Sequence, residues 1–171
     1  MCLRAAGTFG VLLAIGCSDG AEPGVAPSGQ FTAQVTGSQT LYLAGSASTS
    51  TSTSAFGTDT VYWVGMLETL SPAERRTILV SCQGHGAPGV GTHPISPASE
   101  CQGTYSRTIG SPSIGVSRED GLYADTGSVT ITRRSDQQLQ GSFRLEGQMT
   151  SFGFPAGPLT VTGTFVAVPM Q

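Results

Sequence analysis

The chain has 171 residues, enough for one domain of ordinary size, and 38% of them are hydrophobic. Only 11% are charged, the formal net charge is −3, and neither Lys nor Asn occurs. This composition excludes a disordered polyelectrolyte, leaves no basic footprint for nucleic acid, and contains no N-glycosylation sequon.

In chain order, the first segment reads as an address. Met1, Cys2, Leu3 and Arg4 form a short positive start, and an uncharged run, residues 5–16, follows. Its apolar centre, Phe9 to Ile15, falls short of the roughly 20 residues a membrane-spanning helix needs. A brief apolar run ending in small residues is the pattern of a signal peptide. The run closes on Ala14-Ile15-Gly16-Cys17, and here the sequence resembles a bacterial lipoprotein signal, in which Cys follows a small residue. Ala14 stands where that family prefers Leu, and Leu13 lies one place early. The resemblance implies that Cys17 is the lipidation site, with cleavage just before it. Ser18, in place of the Asp that favours the inner membrane, implies an outer-membrane address. The rival is an ordinary secretory signal with an incidental Cys. Residues 17–28 are small, polar and rich in Pro and Gly, as a flexible tether should be. The expected division is therefore a signal peptide over 1–16, the lipidated Cys and tether over 17–28, and one domain over 29–171.

From Gln30 onward the periodicity is two. Phe31, Ala33 and Val35 alternate with Thr32, Gln34 and Thr36; Leu41 and Leu43 alternate with Thr40, Tyr42 and Ala44. Residues 46–54 are nearly all Ser, Thr and Ala, and suit either a mobile hairpin end or an exposed strand. Residues 60–67 are almost wholly apolar and predict a strand covered on both faces, with Trp63 in the core and a ligand platform as the rival reading. Ser71, Pro72 and Glu74 resemble a helix start, so a single helical turn is expected there. Further strands are expected over 77–82, 102–109, 128–133, 139–149 and 159–168. Eight strands in one chain predict an all-β fold, a single antiparallel β-sandwich or small barrel.

Four short signatures recur: Gly29-Gln30-Phe31, Gly103-Thr104-Tyr105, Gly141-Ser142-Phe143 and Gly163-Thr164-Phe165. An aromatic side chain can lie over a Gly on the neighbouring strand, so these read as packing devices. Together with Ser128-Val129-Thr130-Ile131-Thr132, the last two resemble the closing strands of small uncharacterised bacterial lipoproteins with a signal, a short tether and one β domain. The resemblance implies a fold and an anchor; it brings no activity.

Cys82 and Cys101 remain once Cys2 and Cys17 are accounted for, and outside the cytoplasm such a pair reads as a disulfide. The rival is a metal site that adds His85 and His93, both in the intervening loop, although the spacing fits no zinc-finger pattern. Gly84, Gly86 and Gly89 match a dinucleotide fingerprint in spacing, but Pro88, Pro94 and Pro97 forbid the helix that motif requires. Glu119, Asp120 and Asp125 cluster with Gly121 and Gly127; they read as turn formers, with a calcium loop as the rival. Arg75-Arg76 and Arg133-Arg134 read as solvated faces. No nucleophile elbow, Ser-x-x-Lys or His-Glu-x-x-His occurs.

The expected function is that of a lipid-anchored extracytoplasmic binding or envelope-structural module, not an enzyme. It needs no cofactor, is joined to the membrane by its lipid, and takes an envelope protein or glycan as partner. The alternative is a metal-dependent or His-assisted hydrolase using the 83–100 loop.

Overall fold

Side chains that alternate between two faces organise most of the described residues into strands. A computed structural model describes residues 26–37, 40–53, 60–84, 86–111, 116–151 and 154–170. The signal segment, Cys17, the tether up to residue 25, Ser54 and His85 lie outside the described residues. The fold is all-β, with no helix among the described residues.

Ten strands belong to one sheet. They are β1 (Gln30–Thr36), β2 (Thr40–Thr53), β3 (Thr60–Ser71), β4 (Glu74–Gly84), β5 (Gly91–Ile95), β6 (Cys101–Ser111), β7 (Val116–Tyr123), β8 (Thr126–Arg134), β9 (Leu139–Ser151) and β10 (Phe154–Pro169). Antiparallel ladders lead from β1 through β2, β3, β4, β6, β7, β9 and β10, and β10 pairs with β1 again. β7 and β8 run in the same sense along β9. Between them Ala124 N donates to Gly103 O (2.9 Å) and Asp125 N to Glu146 O (2.8 Å). Beyond that step β5 takes the place beside β8, and touches β6 only at Ile95 and Cys101.

Three sequence expectations are corrected here. Ten strands occur among the described residues where the sequence predicts about eight, because β5 and β7 fall in segments whose composition suggests a loop and a turn. Prolines and glycines mask β5, and charged residues mask β7. Leu70-Ser71-Pro72-Ala73-Glu74 forms no helical turn: Ser71 pairs with Glu74 across a two-residue hairpin. Ser71 Oγ accepts from Ala73 N (3.2 Å), so the hydroxyl that could have capped a helix closes a turn instead. Residues 60–67 are covered on one face only; Val64 and Met66 are buried, while Trp63 and Gly65 point the other way. The Ser/Thr-rich segment resolves as strand, since β2 continues to Thr53 with Ala47 and Thr49 buried.

The core is one cluster on the inward face, including Phe31, Val35, Met66, Ile78, Leu122, Leu145, Val161 and Phe165. Two of the four Gly–aromatic signatures pack reciprocally. Phe165 faces Gly141 and Phe143 faces Gly163 across the β9–β10 ladder, with ring centroids 6.4 Å apart. The other two differ. Gly103 lies under Leu145, and Gly29 makes the entry turn at φ 74°, where Gln30 N donates to Pro27 O (3.0 Å). Ala26, just before that turn, is already buried.

Candidate functional site

The loop that held the sequence candidates is closed at its neck. Cys82 and Cys101 are register partners on β4 and β6 and form a disulfide (S–S 2.06 Å, Cα–Cα 4.1 Å). Closing a loop of this size is worth about 3 kcal/mol in the chain-entropy model. Both sulfurs are thereby removed as metal ligands. His93 lies on β5, and its Nε2 is 2.8 Å from Gly89 O. A carbonyl only accepts, so that nitrogen carries the proton and is spent on the backbone. Glu100 is exposed, and no group of three or more metal-binding side chains occurs among the described residues. The acidic cluster does not converge either. Glu119 and Asp120 are consecutive on β7, so Glu119 points to solvent while Asp120 is buried. Only Asp125 sits at a bend. The calcium reading fails on that alternation.

Sequence reasoning missed a row of charge inside the sheet. Glu68, Arg76, Arg107, Asp120 and Ser151 are successive register partners on β3, β4, β6, β7 and β9. Arg76 bonds Glu68 (2.9 Å), Arg107 bonds Glu74 (2.9 Å), and Ser151 Oγ donates to Asp120 Oδ1 (2.6 Å). Glu68 also accepts from Ala44 N (3.2 Å), tying β2 into the row. Arg76, expected to be solvated, is instead 13% exposed and paired. Arg133 and Arg134 are exposed, as expected. The next inward row is Met66, Ile78, Tyr105, Leu122 and Met149. Burial pushes the Tyr105 hydroxyl above its ordinary value, and the nearby Arg76 and Arg107 guanidiniums oppose that rise. Each charge in this layer has an opposite charge or a hydroxyl beside it, although the buried Arg76 Nε makes no hydrogen bond among the described residues, and the layer reads as the polar end of the core.

The outward face of the same strands is built differently. One register row reads Ser48, Gly65, Leu79, Thr104, Tyr123, and the next Ser46, Leu67, Thr77, Ser106, Gly121, Thr150. Trp63, the sole Trp, stands on this face opposite Ser50, and its Nε1 donates to Ser52 Oγ (2.8 Å). The expectation of a core Trp is thus overturned: the indole is half-buried on the outward face, beside a hollow of about 310 Å³ lined by Gly65, three serines, Leu79 and Met170. That hollow shares Ser48, Gly65 and Met170 with one of about 530 Å³ running over Thr77 and Ser106 to Glu119. The latter shares Ser106 and Glu119 with a third, of about 280 Å³, beside Gly121 and Tyr123. Together they make a shallow groove across five strands. The alternation Ser-Thr-Ser-Thr in β2 was the available signal, since its Ser residues all share one face.

No family model, curated protein or solved structure matches this chain.

Proposed function

We propose that the protein is a lipid-anchored extracytoplasmic binding module, built on a small closed β-barrel and held at the outer membrane through Cys17. The circuit of ladders from β1 back to β1 supports the barrel, since full closure removes the edge strands that an open sheet would expose. Eight residues, 18–25, separate Cys17 from the buried Ala26, a reach of at most about 30 Å. The module would therefore work close to the membrane surface. The observation that carries a binding role is the groove on the outward face, with an accessible indole and a glycine floor. Loop chemistry supports the hydrolase alternative less well, because the disulfide consumes both Cys and His93 is engaged by Gly89.

Two measurements test this reading. The full chain expressed in a bacterium with an outer membrane should sediment with that membrane, and Cys17→Ala should move it to the soluble fraction. Trp63 emission of the detergent-solubilised protein should shift on titration with a crude envelope extract. A silent titration would remove the binding role, and an unchanged distribution of Cys17→Ala would remove the anchor.

A further inference from the structure

We infer that the outward groove binds a neutral, hydroxyl-rich oligosaccharide chain, with Trp63 as its stacking platform; this rests on the binding reading above and names the ligand class of the same site. Three observations carry it. First, the lining is almost free of net charge. Its Arg75 and Glu119 lie in one register row, separated only by Thr108, and the remaining lining residues are uncharged. An anionic or cationic ligand would find no complementary field there.

Second, the polar groups are hydroxyls in ordered rows. Ser46, Ser48 and Ser50 stand at two-residue intervals on β2, and Thr77, Thr104 and Ser106 continue the rows on β4 and β6. Hydroxyls donate and accept alike, which suits a ligand whose own groups do both. Third, the apolar surface has the right form. The Trp63 indole is held by its bond to Ser52, so little ordering is left for binding, and Gly65 beside it leaves open space. A sugar ring presents an apolar C–H face and a hydroxyl rim, matching an indole flanked by serines. Tyr123, 83% exposed, ends the row that starts at Ser48. From β2 to β7 the face spans about 19 Å, so the ligand is a chain of several sugars and not a single ring.

Because Trp63 is the sole Trp, the full chain reports binding without a label. The probes are the soluble tetrasaccharides of β-1,4-linked N-acetylglucosamine, β-1,4-linked glucose and α-1,4-linked glucose. At least one should shift Trp63 emission saturably. Gly65→Val fills the floor of the groove, and its Cβ would approach nothing closer than 3.9 Å, so the fold should be kept. It should weaken binding by about tenfold or more, and Tyr123→Ala should weaken it by a smaller factor. The inference falls if none of the three sugars shifts the emission, or if Gly65→Val melts normally and binds as before. A shift with crude envelope extract but with no sugar would make the groove a protein-docking face. That result would overturn the glycan assignment and leave the binding role standing.

Discussion

The two faces of β3, β4 and β6 use the same residue types for opposite ends. Inward, a Cβ on Gly103 would collide with Leu145, and one on Gly163, in β10, would lie 2.5 Å from Thr32 O and 2.8 Å from Phe143 Cζ. Outward, a Cβ on Gly65 would meet only Ser48 Oγ and Leu79 Cδ1, at 3.9 and 4.0 Å. Glycine inside lets strands and rings approach; glycine outside leaves a hollow. Charge divides in the same way. Arg76 is largely covered and paired with Glu68, while Arg75, one residue earlier, is exposed on the other face. A residue's role in this sheet follows from its face before its chemistry.

The charged pair gives the sharpest contrast. Arg76→Ala leaves the part-buried Glu68 carboxylate without its guanidinium and should cost about 1–3 kcal/mol in urea unfolding, the usual range for a lost hydrogen bond to a charged group. Arg75→Ala should stay within about 0.5 kcal/mol. Equal effects would abolish the distinction between the faces. The glycines come next. Gly163→Ala should cost about 1–3 kcal/mol by overpacking, whereas Gly65→Ala should fall within about 0.5 kcal/mol. A neutral Gly163→Ala would mean that β1 and β10 can move apart, and that the inner face is looser than its geometry indicates.

The smallest effect concerns pH. Burial raises the Tyr105 hydroxyl above its ordinary value, so the folded protein holds that proton more tightly than the unfolded chain. The resulting stability is present below about pH 10, the ordinary tyrosine value, and is lost as pH rises from there through the higher folded value. Thermal melts should therefore decline at the alkaline end. Tyr105→Phe should flatten that decline.

Much of the fold was legible in the order of residues. Phe31, Ala33 and Val35 announce a strand because only a strand puts every second side chain in one place. That aromatics would lie over glycines was legible from the two-residue spacing, while the β9–β10 register chose the partners, Phe143 on Gly163 and Phe165 on Gly141. Strands that carry charge on the buried face were not legible. β7 places Asp120 inside and Glu119 outside, and such a pair looks like a turn until a partner is found that donates to the buried carboxylate. Trp63 was misplaced because its neighbours Val61, Tyr62 and Val64 make both faces of β3 look apolar.

Sequence alone determined the all-β class and the two-residue period, because these depend on local spacing; it left Cys82 and Cys101 between a disulfide and a metal site, and the register of β4 against β6 decided for the disulfide. Tertiary structure decided which face of each strand looks inward and which residues share a row. Period two defines two faces without ranking them, and only the register between β2, β3, β4, β6 and β7 sets Glu68 against Arg76 inside and Trp63 beside Ser52 outside.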